Sequence, residues 1–114
     1  MPSEKDKFEI FFGKSGGFTN IPMEYKIDSS GDIYKIQNTD SLSAGSVSHR
    51  KIKKIREKLS ELDFEHLEVD DPGNITYFIA IRTDTYHNTV RWNDQTANDL
   101  LKELYKELLK YLKP

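Results

Sequence analysis

The end of the chain carries an apolar stripe that one helix cannot bury by itself. Over residues 96–112 apolar side chains recur at three- and four-residue spacing, which predicts an amphipathic helix. The stripe comprises Ala97, Leu100, Leu101, Leu104, Tyr105, Leu108, Leu109 and Leu112. Thr96 followed by Asp99 is a variant of the capping box and predicts the start of this helix. The stripe needs a second layer of structure to pack against, so it constrains the fold of the whole chain.

A second amphipathic helix is predicted in the middle of the chain. Its apolar positions again follow helical spacing, at Ile52, Ile55, Leu59 and Leu62. Ser48 precedes them and is a typical N-cap residue. The basic stretch at residues 49–58 is interpreted as the solvated side of this helix, because the chain as a whole is slightly acidic.

The remaining apolar residues alternate with polar ones, which predicts strands. These segments are residues 8–12, 21–27, 33–37, 75–82 and 89–92. Turn signals separate them at residues 28–32 and 70–74, and residues 38–46 are predicted to be a polar loop. Short turns favour antiparallel pairing. The predicted fold is therefore α+β, an antiparallel sheet of about five strands with two amphipathic helices packed on one face, in the order β-β-β-α-β-β-α.

Length and composition limit the classes of protein to consider. The chain has 114 residues, which predicts a single domain at residues 8–114 after a disordered tail at residues 1–7. A net charge of −2 gives no bulk attraction to nucleic acid, so no nucleic-acid partner is expected. The absence of cysteine excludes disulfides and thiolate chemistry. No apolar run is long enough for membrane insertion. We expect the cell envelope or a secreted location if a signal peptide has been removed, and the cytoplasm otherwise.

The sequence contains no complete catalytic or metal-binding motif. Gly13-Lys14-Ser15 resembles the end of a P-loop, but Phe8 stands where the first glycine is required and a strand follows. The three histidines, His49, His66 and His87, are far apart. A structural zinc site needs four ligands. We therefore predict that the chain is not an enzyme and binds neither a metal nor a cofactor.

The segment between the first two strands is the best candidate for a binding site. It is longer than a tight turn, and Gly16 and Gly17 permit backbone conformations that other residues disfavour. Phe18 either packs back onto the sheet or projects towards a protein partner, and the sequence leaves both alternatives open. The predicted partner-binding residues are Lys14, Ser15, Gly16, Gly17, Phe18, Thr19 and Asn20. The predicted second contact comprises Asp84, Tyr86 and His87.

Several short motifs resemble those of emfourin-like proteins. They are Ser-Gly-Gly-Phe at residues 15–18 after a strand, Tyr77-x-Ile79, His-Asn-Thr-Val at residues 87–90, and the leucine-rich helix at residues 100–112. Some members of that family inhibit thermolysin-like zinc metallopeptidases. The resemblance implies a small protein-binding module whose residues 15–20 contact a protease cleft. The alternative is a non-inhibitory structural or interaction domain of a bacterial cell-envelope protein, such as a lipoprotein.

Overall fold

The computed structural model describes residues 8–16, 23–37, 40–96 and 98–112, which form one antiparallel sheet and two helices. The strands are β1 Phe8–Gly16, β2 Met23–Asp28, β3 Asp32–Gln37, β4 Asp40–Ser46, β5 Ile75–Thr83 and β6 His87–Trp92. The helices are α1 His49–Glu61, between β4 and β5, and α2 Asp99–Lys110 at the end, with a short 3₁₀ helix at Phe64–His66. The strand order in the sheet is β4-β3-β2-β1-β5-β6. The α+β prediction is confirmed, and β1 lies inside the sheet with a partner on each side.

The sheet has six strands among the described residues, not about five, because part of the predicted polar loop is β4. Its residues, Asp-Ser-Leu-Ser-Ala-Gly-Ser, have low strand propensity, which is why the pattern predicted a loop. Pairing with β3 imposes the extended conformation instead, with a register shift between Ile33 and Tyr34. Gly45 has a φ of 131°, a conformation that glycine adopts without steric cost. Tertiary pairing has overridden local propensity at this edge.

One face of the sheet and both helices enclose a single apolar core. Alternate residues of five strands point into it and are buried, as the period of two predicts. The sheet residues are Phe8, Ile10, Phe12, Tyr25, Ile27, Ile33, Ile79, Ile81, Val90 and Trp92. The helix residues are Ile52, Ile55, Leu59, Leu101, Leu104, Tyr105 and Leu108. Both helices therefore pack on the same face of the sheet.

The two helix starts were predicted with different success. Ser48 is the N-cap of α1, as predicted, and its Oγ accepts a hydrogen bond from the Lys51 amide at 3.4 Å. The N-cap of α2 is Asn98, and the predicted cap by Thr96 is wrong. Thr96 Oγ1 instead accepts a hydrogen bond from the Asn93 amide at 3.1 Å, which holds the preceding turn.

The apolar stripe of α2 is narrower than predicted. Leu100 and Leu109 are 47% and 40% exposed, so they do not belong to the core. Ala97 lies outside the described residues.

Neither helix of the described part of the chain is long and apolar enough to cross a membrane.

Candidate protein-binding site

Strand β1 extends further than predicted and includes the first part of the candidate loop. Lys14, Ser15 and Gly16 lie in β1 and pair with residues 75–77 of β5, and Lys14 also pairs with Met23 of β2. Lys14 and Ser15 are nevertheless exposed. These three residues therefore form a fixed base for the predicted loop. Gly17, Phe18, Thr19 and Asn20 lie outside the described residues, so their predicted roles and the two placements of Phe18 stay predictions.

Gly16 is required by close contact with a neighbouring segment. Its φ is +89°, and a Cβ atom placed on it would lie 2.2 Å from the Asn74 carbonyl oxygen. Gly73 lies similarly close to Asn93, because a Cβ atom placed on Gly73 would lie 2.6 Å from the Cβ of Asn93. These contacts join three segments into one surface, which we call the Gly16 rim. It comprises residues 14–16, 73–75 and 93–95.

Hydrogen bonds fix the two turns of the Gly16 rim. The Asn93 side chain accepts from the Gln95 amide at 2.8 Å and donates to the Asp71 carbonyl oxygen at 3.1 Å. The Tyr77 hydroxyl donates to the Asp94 carboxylate at 2.8 Å, and this hydrogen bond, with a smaller effect of burial, raises the pKa of Tyr77. The rim is therefore an ordered surface rich in amide groups, which are suited to hydrogen-bonding another polypeptide.

The structure does not place the predicted second contact beside the loop base. Asp84 and Tyr86 lie in the turn between β5 and β6, and β5 ends at Thr83, which pairs with Phe8 at the start of β1. The length of β1 separates this turn from Gly16, roughly 26 Å at ~3.3 Å per residue. The antiparallel pairing of β1 with β5 makes this unavoidable. A contact between these residues and a partner stays a prediction.

The segments that do lie beside the loop base were not predicted as site residues. The signal that could have found them is the Asp-Asp-Pro-Gly-Asn turn at residues 70–74. Since β5 follows this turn and runs antiparallel to β1, the turn must lie where β1 ends. Residues 93–95 carried no comparable signal, because their position depends on how β6 ends.

The side chain of Asn88, within the His-Asn-Thr-Val motif, stabilises the fold. Its amide donates hydrogen bonds of 2.8 Å to the carbonyl oxygens of Phe64 and Leu67. These bonds hold the 3₁₀ helix and the segment after it against β6. His87, the preceding residue, is exposed on the opposite face of the sheet.

The described part of the chain contains no group of three or more His, Cys, Asp or Glu side chains that could hold a metal ion. Two turns of the Gly16 rim, residues 73–75 and 93–95, border a cleft of about 260 Å³.

Comparison with known proteins adds no family assignment. No protein-family model matches the chain, and no curated protein matches it. The resemblance to emfourin-like proteins, which the motifs at residues 15–18, 77–79 and 87–90 and the helix at residues 100–112 carry, therefore stays a prediction.

Proposed function

We propose that this chain is a protein-binding module that presents residues 15–20 to a partner, and that the partner is a thermolysin-like zinc metallopeptidase. The observation that supports the proposal best is the contact of Gly16 with Asn74, described above. It fixes the base of the presented segment against a neighbouring turn. An inhibitor gains from such rigidity, because less conformational freedom is lost when it binds.

The Gly16 rim supplies contact area that the presented segment lacks by itself. A stable protein–protein interface buries ~1,600 Å² in total, more than one short loop provides. The turns at residues 73–75 and 93–95 lie beside Gly16 and expose Asn74 and Gln95. A partner that binds residues 15–20 would contact these turns as well.

An inhibition assay with thermolysin as the probe enzyme tests the proposal. The chain is expected to reduce hydrolysis of a peptide substrate in a saturable way. Phe18→Ala should raise the inhibition constant about 30-fold, the equivalent of ~2 kcal/mol for an anchoring aromatic residue. Gln95→Ala on the Gly16 rim should raise it by a smaller factor. Lys53→Ala, on the exposed side of α1, is the control and should leave it unchanged.

Two outcomes would contradict parts of the proposal. If the chain neither inhibits nor binds thermolysin and related secreted metallopeptidases at about 10 μM, the peptidase class is wrong and a non-inhibitory envelope domain is favoured. If Phe18→Ala lowers the free energy of unfolding but leaves inhibition intact, Phe18 packs within the protein and is not the anchor.

A further inference from the structure

The second face of the sheet, which we call the open face, is covered by neither α1 nor α2. The registers of β2, β1, β5 and β6 arrange its side chains in three rows, each read in that strand order. The first row is Glu24, Gly13, Phe78 and Arg91. The second is Lys26, Phe11, Ala80 and Thr89. The third is Asp28, Glu9, Arg82 and His87.

Large and small residues alternate at the centre of the open face. Gly13 lies beside Phe78 in the first row, and Ala80 lies beside Phe11 in the second. Both phenyl rings are only partly buried. Ala80 and the two rings line a hollow of about 640 Å³. A face that only meets water has no need of two phenylalanines, so this pattern indicates an interaction surface.

Charges on the open face are separated by strand. The carboxylates Glu9, Glu24 and Asp28 lie on β1 and β2. Arg82 and Arg91 lie on β5 and β6, and His87 stands beside Arg82. Lys26 is the exception, a cation on β2 that pairs with Glu9 at 3.4 Å. An acidic half and a basic half therefore meet along the boundary between β1 and β5.

The geometry points to a second copy of this chain as the occupant of the open face. We propose a dimer in which two open faces pack together about a two-fold axis that runs along the strands, between β1 and β5. Such a rotation places β1 over β5 and β2 over β6, and it keeps each row over itself. Every contact then occurs twice, because the interface is isologous.

This arrangement matches both size and charge. Phe78 of one copy faces Gly13 of the other, and Phe11 faces Ala80, so each ring meets a small residue. In the outer rows Glu24 faces Arg91, Glu9 faces Arg82 and Asp28 faces His87. The three carboxylates each meet a basic side chain, and no like charges face each other in these rows.

The dimensions of packed sheets allow these contacts. Two sheets pack ~10 Å apart and rotated by about 30°. At β2 and β6, ~7 Å from the axis, such a rotation moves a side chain by roughly 4 Å, which Arg and Glu can span. The four strands that overlap in this dimer, β2, β1, β5 and β6, give a face of roughly 380 Å² per copy at about six residues each. The total of roughly 760 Å² lies among the small interfaces, below ~1,200 Å², that are typical of weak and transient complexes.

The existing ion pairs of the face leave its outer cations able to change partner. Arg91 contacts Asp70 at 3.5 Å, and both side chains are well exposed, at 49% and 72%. A surface pair of this kind contributes little. Arg82 donates to Glu9 within the chain, and the second copy would extend this pair into an alternating cluster of four charges.

Single-stranded nucleic acid fits the open face less well than a second copy. Its phosphates would meet the carboxylates of Glu9, Glu24 and Asp28. A purely acidic peptide would meet the same carboxylates. A second copy offers both charges in the required order.

Sedimentation equilibrium of the full chain tests the dimer, with charge reversals as probes. The wild type is expected to dimerise with a micromolar dissociation constant. Arg91→Glu and Glu24→Arg should each raise that constant at least tenfold, since each places like charges together twice. The double variant should return to within about threefold of the wild type, because the pair is restored in reverse. Lys53→Glu, on the exposed side of α1, has the same charge change and should have no effect.

Three results would overturn the dimer. They are a wild type that stays monomeric at about 1 mM, an Arg91→Glu variant that dimerises normally, or a double variant no better than the single ones. Binding of oligo(dT) or polyglutamate by a monomeric wild type, lost in Arg91→Glu, would assign the face to another ligand. The dimer and the peptidase proposal can fail separately. A monomeric variant that still inhibits thermolysin would support the peptidase proposal whatever the outcome for the dimer.

Discussion

The two faces of the sheet are built from the same strands but follow different rules. Phe78 and Ile79 are neighbours in β5 and point to opposite faces. On the helix-covered face every central position is apolar and buried, whatever its neighbour in the row. On the open face, large residues stand beside small ones, and acids and bases occupy separate strands apart from Lys26. Burial accounts for the first pattern, whereas the second matches a surface that recognises another molecule.

Phe12→Ala, on the helix-covered face, is expected to cause the largest loss in the free energy of unfolding. Phe12 is fully buried, with its ring stacked on Tyr25 at 5.5 Å between centroids and edge-on to Tyr105 at 6.5 Å. Removing a buried phenyl ring costs about 3–5 kcal/mol of unfolding free energy. Denaturant unfolding followed by Trp92 fluorescence would measure it, at concentrations that keep the chain monomeric. Phe11→Ala, at the neighbouring position on the open face, should lower the free energy of unfolding by about 1 kcal/mol. Equal losses in the two variants would show that the two faces do not differ in their contribution to stability.

A substitution at Gly16, where β1 ends at the Gly16 rim, is expected to cause an intermediate loss in the free energy of unfolding. Gly16→Ala places a Cβ 2.2 Å from the Asn74 carbonyl oxygen in a left-handed backbone conformation. We expect a loss of about 1–3 kcal/mol in the free energy of unfolding. Ser15→Ala, at the exposed position before it, should change that energy by less than ~0.5 kcal/mol. A Gly16→Ala variant as stable as Ser15→Ala would show that the rim is not rigid.

The smallest effect concerns the charges of the open face at low pH. The hydrogen bond from Arg82, followed by its charge and that of Lys26, lowers the pKa of Glu9 from 4.5 despite partial burial. A carboxylate with a lowered folded-state pKa stabilises the protein above its unfolded-state pKa. That contribution disappears as the pH falls through the folded-state value. For this partly exposed pair we expect less than ~1 kcal/mol.

Unfolding of the wild type and of Glu9→Gln across pH 7 to 2 would measure this contribution. The two free energies should differ at neutral pH and converge in acid. Arg82→Gln should remove most of the difference, because Arg82 is the main cause of the shift. Parallel curves for the wild type and Glu9→Gln would contradict the assignment.

Much of the fold could be predicted from local patterns. The period of two in Tyr77, Ile79 and Ile81 identified one face of β5 correctly, and Ser48 was recognised as a helix cap because the capping bond is local. β4 was missed because its extended conformation depends on pairing with β3. The start of α2 was misplaced because Thr96 and Asn98 are both good capping residues, and the turn at Asn93 decides between them.

Less of the candidate site could be predicted, since it depends on register. Lys14, Ser15 and Gly16 were identified as site residues, but the sequence does not show that they belong to a strand. The Gly16 rim joins segments more than 55 positions apart in the chain, at Gly16 and Asn74. The rows of the open face likewise require three strand registers to be known at once. Neither arrangement has a signature within a short window of sequence.

The central claim is that the covered face stabilises the fold and the open face binds, and the neighbours Ile79 and Phe78 test it most directly. The measurement is the dimer dissociation constant and the unfolding free energy of Ile79→Ala and Phe78→Ala. Ile79→Ala should lose about 2–5 kcal/mol of unfolding free energy and keep the dissociation constant of the wild type. Phe78→Ala should lose about 1 kcal/mol and weaken the dimer at least tenfold. A Phe78→Ala variant as unstable as Ile79→Ala, with its dimerisation unchanged, would contradict the account.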